Sequence, residues 1–237
     1  MKFDIFKNSV IGYKNLIRGS KSQDYIDYKV EDKFIICSVA DGHSTTFFKH
    51  SLDGARFACK ASIDVLSDNF NIDIDKLEEK LKNYEIQKQI DSRWRFLVEE
   101  HYKKIYPNVF KIEYIKYSTT LLSVLITDKF ILYLKLGDGD IVLKSKEGYK
   151  CVIDTKNNLT VDSLGRDNEY KHMMYLVEER EEKENIRIAL FNSIECTLQK
   201  YNKNIFSRFI LLNTYIDYLN SISENITHDD ISIVFIV

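Results

Sequence analysis

Three acidic positions stand at the ends of strand-like runs in this chain. Asp41 follows ICSVA, Asp138 follows LYLKLG, and the pair Asp229-Asp230 comes just before ISIVFIV. Carboxylates are hard oxygen ligands suited to Mg2+ and Mn2+. Placed at strand ends, they can converge on one edge of a sandwich while flexible turns adapt their geometry. An Asp-Gly after a strand is by itself an ordinary turn, so for each of these positions a plain turn and a metal role both stay open. His43, two residues beyond Asp41, could move a proton near neutral pH or simply hydrogen-bond to turn backbone.

The elements that must position these residues can be read from hydrophobic period. Residues 24–40, DYIDYKVEDKFIICSVA, form two β-rich runs split by Glu31-Asp32, which predicts a hairpin with its second strand buried. From Ser51 to Leu66, Ala55, Ala58, Ala61 or Ser62, and Val65 recur at helical spacing, and such small residues let a helix approach a sheet closely. Between Leu77 and Ile105 the apolar positions Leu77, Leu81, Ile90, Trp94, Leu97 and Ile105 share one face, as one long helix or two short ones. Four β-type runs from Ser118 to Asp154 predict an antiparallel meander. Two further strands are expected at 171–177 and 186–192, separated by EEREEKE, then a helix over about 205–222 and a final apolar strand. The run Glu178 to Glu184 reads as a solvated turn. Strands and helices come in blocks without βαβ alternation, which predicts an α+β fold rather than a doubly wound parallel sheet.

Composition narrows the function classes. Hydrophobic residues make up 44% of the 237 and charged residues 30%, the balance of a globular chain with a sizeable core. A net charge of −2 with scattered Lys and Arg gives no basic footprint for nucleic acid. The four cysteines, Cys37, Cys59, Cys151 and Cys196, lie far apart without a CxxC pair, so they read as buried apolar residues in a reducing cytoplasm. The start MKFDIFKNSV lacks the apolar stretch of a signal peptide, and no run approaches a membrane span. With one proline and no Gly/Ser-rich linker, the expectation is a single domain over residues 1–237.

The order and surroundings of the acidic residues resemble those of the metal-dependent protein phosphatases of type 2C, in their bacterial branch. SQDYIDYKVEDKFIICSVADGH is similar to the family's opening hairpin ending in Asp-Gly-His, and FKHSLDGARFA to the helix that follows. SRWRFLVEEH resembles its Trp-containing helix, STTLLSVLITDKFILYLKLGDGDIVL its Thr-Thr and Gly-Asp-Gly segment, and THDDISIVFIV its terminal strand. The resemblance implies a four-layer α-β-β-α sandwich with two central antiparallel sheets flanked by helices. It also implies a centre for two Mn2+ or Mg2+ ions. Asp41 would bridge the ions, the Gly42 carbonyl would complete one shell, Asp229 would bind the other ion, and Asp24 would support ligating waters. Asp138 is associated with a third, weaker metal or with shaping the site, unless it only satisfies a turn. His43 would give a proton to the leaving serine or threonine oxygen while water attacks phosphorus in line. Arg18 or Lys21 would contact phosphate, although neither falls cleanly at the family's offset. The implied partners are a phosphoprotein substrate or a cognate kinase, with no nucleic acid and no membrane.

Three departures gather around the same centre. Where the family carries a metal-binding Asp-Gly after the strand IRIALFNSIE, this chain has Ser193 and Ile194. Losing one charge at about 4 Å and an effective dielectric of about 20 removes on the order of 4 kcal/mol, roughly a thousandfold in affinity for one ion. A single site at Asp41 and Gly42 stays open, since Mg2+ often keeps only one or two protein carboxylates and several waters. Glu195 is a further candidate substitute. Ser44 and Ser118 also replace glycines usual in the family, which alters the backbone conformations available there. These changes motivate a rival expectation: a pseudophosphatase that keeps the sandwich and binds a partner or phosphopeptide without hydrolysis.

Overall fold

The computed structural model describes residues 4–145, 148–153, 162–180, 187–191, 219–221 and 223–236. The first half runs β1 (Ile5–Val10), α1 (Tyr13–Ile17), β2 (Asp24–Val30), β3 (Phe34–Asp41), α2 (Ser51–Asn69), α3 (Ile74–Lys82) and α4 (Glu85–Ile105). The second half adds β4 (Leu121–Thr127), β5 (Phe130–Leu136), β6 (Asp140–Ser145), β7 (Gly148–Cys151), β8 (Met174–Glu179), β9 (Arg187–Phe191) and β10 (Ile231–Ile236). The strands make two five-stranded antiparallel sheets, ordered β2-β3-β4-β5-β8 and β1-β10-β9-β6-β7.

Side-chain alternation explains the layering. On β3, Ile35, Cys37 and Val39 join the core between the two sheets, while Phe34, Ile36 and Ala40 join the core beneath the helices. A strand covered on both faces has no reason to alternate with polar residues, hence its continuous apolar run. The outer face of the second sheet carries its own cluster, including Val142, Phe191, Ile231 and Ile233, against which Leu219 is buried.

The predicted close approach of α2 is realised. Ala55, Ala58, Ala61 and Ser62 are all fully buried, and the Ser62 hydroxyl donates to Ser123 Oγ at 2.7 Å on the neighbouring sheet. Gly54 marks the tightest place, since a Cβ there would lie 1.8 Å from the Tyr117 carbonyl oxygen. Its own carbonyl accepts from Trp94 Nε1 at 3.0 Å, so the lone tryptophan locks α4 onto α2 from within the core. The stretch 77–105 resolves as two helices, because Tyr84 takes a left-handed conformation (φ 59°) between α3 and α4.

The expected meander is corrected in one respect. The four runs exist, but β5 and β6 belong to different sheets. The chain crosses between layers at Leu136–Asp140, where Gly137 has φ +104°, a conformation closed to most L side chains. Lys135, on the face of β5 between the sheets, is fully buried, and its ammonium pairs with Asp140 at the start of β6 at 3.1 Å. That ion pair spans the crossover. The strand expected at 171–177 begins only at Met174, because Glu169–His172 form a 3-10 turn. Glu178 and Glu179, read as turn, are the last residues of β8, and Glu178 accepts from the Tyr133 hydroxyl at 3.0 Å. Residues 181–184 of the acidic run, most of the expected helix 205–222, and Ser193, Ile194, Glu195 and Cys196 lie outside the described residues. Among the described residues no helix is long and apolar enough to cross a membrane.

Candidate metal centre

Strand direction brings the acidic residues to one rim. Asp24 and Asp41 are directly paired across the β2-β3 hairpin. Alternation places both on the face towards the second sheet, because Ile26 and Val39, two residues from each, pack in the inter-sheet core. β5 runs in the same sense as β3, so Asp138 emerges at the same end. In the other sheet, Phe191 pairs with both Asp140 and Ile233, which sets the start of β10, and Asp229 just before it, at this rim too.

The threonine pair holds Asp41 by its backbone. The Asp41 carbonyl accepts from Thr120 N and from Thr119 Oγ1, both at 2.9 Å, and its N–H donates to Thr120 Oγ1 at 3.1 Å. Gly42 bridges to Thr119 and lies against Ser51, whose carbonyl oxygen would be 2.6 Å from any Cβ at position 42. The Asp-Gly pair is therefore fixed by close packing on both sides.

Charge crowding is the main electrostatic feature. Burial pushes the Asp41 carboxyl well above the usual range, and the neighbouring Asp24, hydrogen-bonded to it, raises it further, as do Asp229 and Asp138. Asp229 is also raised, first by burial and then by Asp230 and Asp138, against the lowering influence of the Asp230 N–H and of Lys14. Four carboxylates facing one space repel one another and supply hard oxygen donors, so the donor set fits a divalent cation of the Mg2+ or Mn2+ kind.

The Asp229-Asp230 pair divides its work. Asp230 is buried and accepts from Gly12 N, from Asn15 Nδ2 at 3.1 Å and from Gln23 N at 2.9 Å. It anchors the segment around α1 to the start of β10, while Asp229 is left beside Asp41. This anchoring role has no signature in the sequence, where the two residues look equivalent.

Arg18 and Lys21 are exposed on the turn between α1 and β2. The base whose charge reaches Asp229 is Lys14, one turn earlier, held where its N–H donates to the His228 carbonyl at 3.1 Å. His43 packs at a tilt against Phe48, ring centroids 4.7 Å apart, and its Nε2 lies 3.1 Å from Ser163 Oγ. Burial lowers its pKa; Asp138 opposes this, and Arg166 adds to it. Lys14, Ser163 and Arg166 were invisible to motif reading because each is brought in by the fold from a loop or a short helix. Asp162, Glu169 and His172 gather their ligand atoms within 4.8 Å of one another, and His172 Nδ1 is already paired with Asp162 Oδ1 at 2.9 Å.

Comparison with known proteins bears on the family and the fold. The model of the family described as Protein phosphatase 2C matches residues 11–198. The structure is similar to the S. agalactiae serine/threonine phosphatase, at 16% identity over 99% of both chains with a TM-score of 0.60. It is similar to the serine/threonine phosphatase Stp1 from Staphylococcus aureus, at 14% identity over 100% of this chain and 95% of that one, TM-score 0.64. RsbX in complex with magnesium matches at 14% identity over 99% and 94% of the two chains, TM-score 0.52. At these identities the likeness bears on the fold. No curated protein matches.

Proposed function

The chain belongs to the protein phosphatase 2C family, and from that premise we propose that it hydrolyses phosphoserine or phosphothreonine on protein substrates in a metal-dependent reaction. The observation that carries the proposal is the convergence of Asp24, Asp41, Asp138 and Asp229, drawn from four separated places in the chain, on one rim. Asp41, the Gly42 carbonyl and Asp229 would hold the ions, with Asp24 and Asp138 at their periphery. Mn2+ or Mg2+ when bound neutralises phosphoryl oxygens and acidifies water. The chain's own residues do the rest. Lys14 and Arg166 set a positive field at the two sides of the site, suited to a dianionic phosphate. His43 gives a proton to the leaving alkoxide, and Asp138 favours the charged imidazole needed for this. We take residues 1–237 as one such domain, working in the cytoplasm on a phosphoprotein or opposite a cognate kinase.

A second reading follows from Ser193 and Ile194, which replace the family's Asp-Gly. With that carboxylate gone, one ion in place of two, or a pseudophosphatase that binds without hydrolysis, becomes the alternative. The test is hydrolysis of an aryl phosphate and a phosphopeptide with Mn2+ titrated, for the parent, Asp41→Ala and Ser193→Asp. Parent activity lost in Asp41→Ala supports the enzyme. An inactive parent with activity gained in Ser193→Asp supports the pseudoenzyme.

A further inference from the structure

His43, Ser163 and Ser118 form a chain of polar groups whose direction can be worked out. Ser118 is fully buried and its hydroxyl donates to the Leu164 carbonyl at 2.8 Å. The same Ser118 oxygen lies 2.8 Å from Ser163 Oγ, a hydrogen-bond distance. A serine hydroxyl has one proton, and that of Ser118 is committed to Leu164, so Ser163 must donate to Ser118. Ser163 then has no proton left for His43, 3.1 Å away, and can only accept from it. The imidazole nitrogen in that contact, Nε2, must carry hydrogen.

Resting on the reading of His43 as the proton donor, we propose that Ser118 and Ser163 are positioning residues that lock His43 in the Nε2–H tautomer, so that proton transfer to substrate runs from Nδ1. In that step the Nδ1–H bond breaks, its electron pair stays on nitrogen, and an O–H bond forms on the leaving oxygen, returning the neutral Nε2–H ring. The relay is anchored on both sides. Leu164 and Thr119 exchange backbone hydrogen bonds at 2.9 and 3.4 Å, and His43 N donates to the Ser118 carbonyl at 3.3 Å. It also gives a physical role to Ser118, at a place where glycine is usual in the family.

Long-range 15N–1H NMR of the histidine-labelled, metal-free protein, at a pH where the ring is neutral, reads the tautomer directly and needs no activity. The five histidines are told apart by a His43→Gln spectrum. The expected result is one fixed Nε2–H pattern for His43, lost to an averaged pattern in Ser163→Ala and restored in Ser163→Thr. An Nδ1–H pattern in the parent, or an unchanged pattern in Ser163→Ala, overturns the relay. An inactive protein with the fixed pattern would retain the relay and remove the phosphatase reading; an active one without it would do the reverse.

Discussion

Replacing Asp41 with asparagine is expected to stabilise the metal-free protein while abolishing its response to divalent cations. Asp41 shares a hydrogen bond with Asp24 and feels the charges of Asp229 and Asp138, and burial already disfavours its ionised form. Two unit charges about 5 Å apart at an effective dielectric of about 20 interact by about 3 kcal/mol. Solvent and the proton shared with Asp24 reduce this, leaving relief on the order of 2 kcal/mol, and asparagine can still donate to Asp24. For a domain of this size 1 kcal/mol moves Tm by roughly 2–4 °C, so a rise of about 4–8 °C in chelator is expected. In Mn2+ at about 100 times its Kd the parent should gain about 2.7 kcal/mol and the variant much less, closing or reversing the gap. The pH dependence has a defined sign. Folding raises the Asp41 pKa above its unfolded value near about 3.9, so the native state holds more protons, and metal-free stability falls as pH rises through the raised value. Asp41→Asn should flatten that slope. Thermal unfolding in chelator and in Mn2+ across pH measures all of this. A variant less stable than the parent in chelator, or a parent indifferent to Mn2+, would refute the reasoning.

Asp230→Ala should behave oppositely to its neighbour Asp229→Ala. It leaves the donors of Gly12, Asn15 and Gln23 without their acceptor and should cost about 3–5 kcal/mol in denaturant titration, whereas Asp229→Ala should be near neutral without metal. Lys135→Met breaks a buried ion pair with Asp140 and should cost about 3 kcal/mol, with Asp140→Asn in the same background recovering part of it. For His172, the hydrogen bond to Asp162 raises the pKa above the unfolded value of about 6.5. Its stabilising contribution is complete below that value and is lost as pH rises through the folded one. His172→Gln should remove that loss from the pH–stability profile above about pH 6.5.

Hydrophobic period made the hairpin, the small-residue face of α2 and the block arrangement of strands legible, since each depends on local repetition. The assignment of β6 to the second sheet was not legible. LYLKL and DIVLK have the same strand character, and only the backbone of Gly137 and the Lys135–Asp140 pair decide that the chain changes layers. In the site, Asp41, Asp138 and Asp229 could be named because they stand at the ends of strand-like runs, and Asp24 through the resemblance of the hairpin it opens. Lys14 and Ser163 could not, because nothing local distinguishes a lysine or serine that the fold carries to the rim. The anchoring role of Asp230 escaped for a related reason: its three partners lie more than 200 positions away in sequence.

The central claim is that carboxylates from remote strand ends grip a common cation. Equilibrium Mn2+ binding, followed by the loss of the free-ion EPR signal, tests it most directly in the parent, Asp41→Asn, Asp229→Asn and, as a control, Glu169→Gln. Binding by the parent that weakens at least tenfold in both aspartate variants and persists in the control is the expected result. Mn2+ binding unchanged by either aspartate substitution, or absent from the parent, would contradict the account.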